Sequence, residues 1–177
     1  MSILRQIAQL GHPLLREVAR KIDDPHAPAI QALIDDMLAT VADANGVGIA
    51  APQLFESLSL IIVASRSNPR YPNAPSMVPQ VMINPEILRV SDDLEKGWEG
   101  CLSIPGLRGL VPRHTRVCVR YLDLNGAVCE EEYAEFPARI IQHEFDHVQG
   151  IMFIDRIEST RDLVTEKEYM RSLQSHA

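Results

Sequence analysis

Cysteine is scarce in this sequence. Its three thiols, Cys101, Cys118 and Cys129, are too few and odd in number for a disulfide framework, and they fit a reducing compartment. An excess of basic charge is also missing. Lys and Arg number 17 against 24 Asp and Glu, and the net charge of -7 argues against a general nucleic-acid binder and against attraction to anionic membranes. No stretch approaches the ~20 apolar residues of a membrane span. No apolar run of about 7–15 residues follows a basic N-terminus, as an export signal would require. The expected setting is therefore cytoplasmic. Internal repeats are absent, which excludes the repeat architectures.

The rest is ordinary globular composition, with 46% apolar and 23% charged residues. A chain of 177 residues suits one domain, 1–177, with one sizeable core. Ile30, Leu33, Ile34, Met37, Leu38 and Val41 recur at spacings of three and four, which predicts an amphipathic helix over 28–44. GVGIAAPQ, 46–53, reads as a glycine-rich loop. The run 58–65 reads as a buried strand, 66–80 with its four prolines as a surface loop, and 81–90 as extended chain. Residues 116–133 form a predicted hairpin turning at Asn125-Gly126. A helix opens at Phe136-Pro137 and stops at Gly150, and a last helix covers 160–174. Strands mixed with separated helices predict an α+β fold.

The chemical signal is His143-Glu144-Phe145-Asp146-His147, an H-E-x-x-H pattern. Histidines four apart stack on one helix face and can reach one metal ion. With Ile140 and Glu144 they border the apolar stripe, while Arg139, Gln142, Asp146 and Gln149 fall on the opposite side. A catalytic metal site wants a third protein ligand and an open position. The extended zinc-protease pattern would end in a histidine at position 153, but Phe153 stands there. Glu158, Glu166 and Glu168 are available downstream, the last two on a helix that reads as solvated. Upstream, Cys101 sits in the turn-like WEGCLSIPG, where a thiolate would be a good ligand. Cys118 and Cys129 read as small apolar residues inside the hairpin.

Three blocks, GVGIAAPQ at 46–53, EGCLS at 99–103 and QHEFDH at 142–147, resemble the motifs of the peptide deformylase family and appear in its order. HPLLR at 12–16 agrees as well. The resemblance implies mixed, mostly antiparallel sheets packed around a central metal-binding helix, with a C-terminal helix. It implies Cys101, His143 and His147 as metal ligands and Glu144 as general base and acid. It also implies Gln53 and the Leu102 N–H as donors to the formyl oxygen. The metal would be ferrous iron in the cell, and zinc, nickel or cobalt are acceptable in purified protein. The substrate implied is the N-formyl-methionyl end of new polypeptides, attacked by a metal-activated water. The peptide would lie extended beside Val47, Gly48 and Gly100. Phe136 and Ile140, with Val47, are candidates for the methionine lining. Trp98 is considered as a further wall, and Arg108 as either a substrate neighbour or a solvated charge. The Pro-rich segment is either a plain insertion or a wall of the cleft. The C-terminal residues 159–177 balance their charges, which argues against a basic helix that docks on the ribosome.

Two rival readings remain at this point. A zinc endopeptidase shares the helix motif but would cleave internal bonds. A metal-stabilised binding module would keep the ligands and lose the acid/base, and Glu144 is present.

Overall fold

The computed structural model describes residues 2–175. Helix α1, Pro28–Asp43, begins with proline at its first turn, where the missing N–H is no loss. Strands β1, Gly48–Ala50, and β2, Leu60–Val63, pair antiparallel. They continue through β3, Gln80–Val90, to the hairpin of β6, Arg116–Leu122, and β7, Val128–Ala134, giving a five-stranded sheet in the order β1-β2-β3-β6-β7. A second sheet holds β4, Leu94–Cys101, β5, Ile104–His114, and the short β8, Leu163–Thr165, in the order β4-β5-β8. Helix α2, Glu135–Val148, carries the H-E-x-x-H residues, and α3, Glu166–Ser175, closes the described chain.

Strand β2 explains the layering. All four of its side chains are fully buried. Because successive strand residues face opposite ways, Leu60 and Ile62 pack with Leu33, Ile34, Met37 and Val41 of α1. Ile61 and Val63 pack with Ala138, Ile140 and Ile141 of α2. Burying each such side chain is worth roughly 1.5–3 kcal/mol, so the sheet is held from both faces. A third cluster, with Leu15, Ile104, Val111, Met152 and Phe153, fills the space beneath the smaller sheet.

One feature of β3 looks unfavourable in sequence and is accommodated by a bulge. Pro85 lies within the register shift between Ile83 and Glu86, where a ladder donor is dispensable. Asn84 beside it has φ of 52°, a left-handed value that asparagine tolerates. Its side chain accepts from the Ile22 N–H and donates to the Ile22 carbonyl, tying the N-terminal segment to the sheet.

Several elements differ from the sequence reading. GVGIAAPQ is not a plain loop: it holds strand β1 and a short 3-10 turn, Ala51–Leu54. WEGCLSIPG is a strand end and its reversal, with Cys101 the last residue of β4. The last helix starts at Glu166 rather than near 160, because 163–165 pairs with β5 first. Gln142 and Asp146 are not on a wet face. Gln142 bridges α2 to both backbone groups of His114, and Asp146 accepts from Arg113 and Arg156. The helix therefore runs between the two sheets, buried on the polar side as well as the apolar one, and it ends at Gly150 with φ of 72°.

Candidate metal centre

Strand β4 and helix α2 bring the chemistry together. The ligand atoms of Cys101, His143 and His147 all lie within 4.8 Å of one another. Cys101 Sγ is 3.2 Å from His147 Nε2 and accepts from Gln53 Nε2 at 3.4 Å and the Ser103 N–H at 3.4 Å. Burial pushes its thiol up, but the imidazoles of His147 and His143 outweigh that and hold it well below the ordinary thiol value. That direction favours the thiolate, the form that binds metal.

Glu99 orients the next ligand. Its Oε2 lies 2.9 Å from His143 Nδ1, which leaves Nε2 to face the centre. Arg113 donates to both Glu99 oxygens, at 2.9 and 3.0 Å, and Arg139 donates to Oε1 at 2.9 Å. Burial alone would raise the Glu99 carboxyl, but Arg113 and His143 hold it far below the usual range. Arg113 also bonds Asp146 at 2.6 Å, so two of the acids around α2 share one guanidinium.

Glu144 stands apart from that network. Burial pushes its carboxyl up to about 7, against the pull of His143 and His147. Its Oε2 and the Nδ1 of His147 are buried without a hydrogen-bond partner. An unmet buried carboxylate oxygen costs about 1–3 kcal/mol or more, and a fold tolerates it where a bound group is to be served. Gly48 makes room for it: a Cβ there would fall 2.5 Å from Glu144 Oε1.

These groups open onto a cavity of about 140 Å³. Val47, Gly48, Gln53, Gly100, Leu102, Phe136 and Ile140 line it together with Cys101, His143 and Glu144, so the residues proposed from sequence converge. The side chain of Gln53 is fixed in direction: its Oε1 accepts from the Ala50 N–H at 2.9 Å, which turns Nε2 toward Cys101 and Ser103. Trp98 is not among the lining; it packs on Tyr169 beside a neighbouring cavity. Arg108 is buried, paired with Glu166 at 3.1 Å, and its Nη1 donates to the Tyr71 hydroxyl at 2.7 Å. The solvated reading of Arg108 is thereby corrected, while Glu166 is half-buried.

Among the lining residues that the sequence reading did not place at the site are Tyr71, Glu99, Arg139 and Glu166. Glu99 precedes Cys101 by two positions, the spacing of one strand face, and would have been found had the segment been read as a strand. Tyr71 carries no such signal. It lies in the Pro-rich segment, which is a wall of the cleft: Tyr71 packs on Phe136 at 4.9 Å and accepts the Gly100 N–H at 3.3 Å.

A thiolate and two imidazoles suit zinc, iron, nickel or cobalt. Set beside a buried carboxylate and an open cavity, they define the class as a metal-dependent hydrolase. The sequence pattern of the family described as polypeptide deformylase matches residues 4–162. Peptide deformylase 2 of Nostoc sp. (strain PCC 7120 / SAG 25.82 / UTEX 2576) is 55% identical over 94% of this chain and 93% of its own length. Peptide deformylase 1 of Nitrosomonas europaea is 42% identical over 90% of each. Among solved structures, the Met-Ala-Ser-bound class I type b peptide deformylase of Acinetobacter baumannii superposes with a TM-score of 0.87 at 48% identity, covering 89% of this chain and 100% of that one. The peptide deformylase of Thermotoga maritima superposes with a TM-score of 0.79 at 34% identity, covering 89% and 99%. The chain belongs to the polypeptide deformylase family, metal-dependent hydrolases that remove the N-formyl group from nascent peptides. The endopeptidase and binding-module readings fall away with that membership.

Proposed function

We propose that residues 1–177 act as one catalytic domain in which Cys101, His143 and His147 hold a single divalent metal and Glu144 moves the proton during deformylation. The observation that carries this reading is the convergence of three ligand atoms within 4.8 Å beside the unpartnered oxygen of Glu144. When bound, the metal supplies Lewis acidity toward the formyl oxygen and toward water. Glu144 takes a proton from the attacking water and returns it to the departing amine, which is too poor a leaving group to depart unprotonated. Burial, which raises this carboxyl, favours its taking up and giving back a proton.

Gln53 Nε2 and the Leu102 N–H are the proposed donors to the oxygen that gains charge, each typically worth ~2.7–4 kcal/mol. The peptide backbone lies extended between Val47–Gly48 and Gly100, and the methionine side chain lies against Phe136, Ile140 and Val47. The relative that carries Met-Ala-Ser supports a peptide of this kind in the cleft. Ferrous iron is the proposed metal in the cell, and metal analysis of protein purified without oxygen tests it; zinc in such a sample would contradict it. The proposed setting is the cytoplasm, beside the ribosome that makes the substrate; among the described residues no helix is long and apolar enough to cross a membrane. Any approach to the ribosome would not run through α3, where Lys167 and Arg171 face an equal number of acids at Glu166 and Glu168.

The reaction is tested by following formate and free amine from matched peptides. Acetyl adds one methyl at a crowded carbonyl, and overpacking by a methyl costs ~1–3 kcal/mol. Formyl-Met peptides should therefore be hydrolysed far faster than acetyl-Met peptides, with internal bonds left whole. Equal rates, or internal cleavage, would overturn the proposal.

A further inference from the structure

We propose that Arg139 sets the depth of the methionine pocket by closing it against a second cavity. The inference rests on the deformylase reading above. A cavity of about 430 Å³ lies next to the catalytic one, and the two share three wall residues: Tyr71, Phe136 and Arg139. Phe136, Arg139, Ile140 and His143 follow one another along a face of α2. With a rise of 1.5 Å per residue, Arg139 lies about 6 Å along the axis from His143 and Phe136 about 10 Å. An unbranched side chain that enters beside the metal centre and runs toward the N-terminus of α2 meets this wall at its tip.

The guanidinium is fixed where it stands. Arg139 Nη1 donates to Glu99 Oε1 at 2.9 Å and to the Val111 carbonyl at 2.8 Å, and Nη2 donates to the Glu95 carbonyl at 2.6 Å. It occupies ground that only glycine leaves free: a Cβ on Gly97 would fall 2.7 Å from Arg139 Cζ. Tyr71 and Phe136 support the wall with ring contact at 4.9 Å. Behind it Trp98 and Tyr169 face the second cavity, with ring centroids 5.7 Å apart. The rings of Tyr71, Phe136, Trp98 and Tyr169 line part of that space beside the charged Glu95 and Arg113, and Tyr71, Phe136 and Arg139 are the residues it shares with the catalytic cavity. Shortening Arg139 would join the cavities and admit a side chain longer than methionine.

The chain supplies its own reporter, because Trp98 is its one tryptophan and lines the second cavity. The experiment compares formyl-Met-Ala-Ser with formyl-(4-nitrophenylalanine)-Ala-Ser in wild-type, Arg139→Ala and Phe136→Ala protein, each with its metal content measured. Phe136→Ala opens the same wall without touching Glu99. The nitroaromatic ring quenches indole fluorescence on contact. We expect the ratio of kcat/KM for the nitrophenylalanine peptide over the methionine peptide to rise about tenfold or more in a metal-loaded variant, chiefly through KM. The deformylated nitrophenylalanine peptide should quench Trp98 in that variant and leave wild type unquenched. Variants that hold metal and hydrolyse formyl-Met-Ala-Ser, yet keep the ratio within about twofold of wild type, would overturn the inference. So would equal quenching in wild type. Wild-type protein that leaves formyl-Met-Ala-Ser intact would instead sink the deformylase reading, and this inference with it.

Discussion

Glu99 Oε2 lies 2.9 Å from His143 Nδ1, while the same carboxylate receives Arg113 and Arg139. One buried acid thus fixes a proposed ligand and pairs with two guanidinium groups. Glu99→Gln keeps the shape and removes the charge. It should weaken metal affinity about 10–100-fold and lower stability by roughly 3–5 kcal/mol, because Arg113 is left buried and undercompensated. Metal competition titration and denaturant unfolding would measure the two effects. Unchanged metal affinity would mean that Glu99 is structural only.

Gly48 gives a more local test. Adding a methyl there must displace Glu144, whose Oε1 would be 2.5 Å away, or Ile140, whose Cγ2 would be 2.8 Å away. Gly48→Ala should reduce kcat by about 10²-fold, the usual consequence of moving a reacting group by about 1 Å, and should leave metal content intact. Steady-state kinetics with metal analysis decide it; a normal kcat would show that Glu144 tolerates the shift.

The pH dependence of stability can be traced to Asp36. The Ile3 N–H and the Arg5 guanidinium hold its carboxyl below the ordinary value. Since the folded pKa lies below the unfolded one, the stabilisation is complete above about pH 4 and is lost as pH falls through the folded pKa. Asp36→Asn should cost about 1–3 kcal/mol at neutral pH, and its gap to wild type should close at acid pH. Urea midpoints for both proteins across that range test it. A gap that does not depend on pH would contradict the assignment.

Much of this protein is legible from sequence, for physical reasons. Strand β2 and helix α1 announce themselves by apolar periodicity, and the β6–β7 hairpin by Asn125-Gly126. His143 and His147 are legible because a helix fixes their spacing. Cys101 is joined to them by a sheet, and no local pattern records such a distance; the resemblance of three motifs to one family supplied it. What stayed hidden is burial of polar side chains. Asp146, Gln142 and Arg108 look like wet positions until their partners arrive from β5 and α3. Tyr71 was hidden for another reason: a Pro-rich segment has no periodicity from which to read which side chain turns inward.

The residues proposed to hold the metal are distinct from the residue proposed to move the proton. Glu144→Gln, assayed for formate release from formyl-Met-Ala-Ser with metal content measured on the same sample, separates them. The prediction is full metal occupancy with activity reduced by about 10²–10⁴-fold, the share expected of a general acid/base. Cys101→Ala in the same assay should lose the metal. Glu144→Gln protein that has lost its metal, or that keeps its metal and still releases formate at the wild-type rate, would contradict the account.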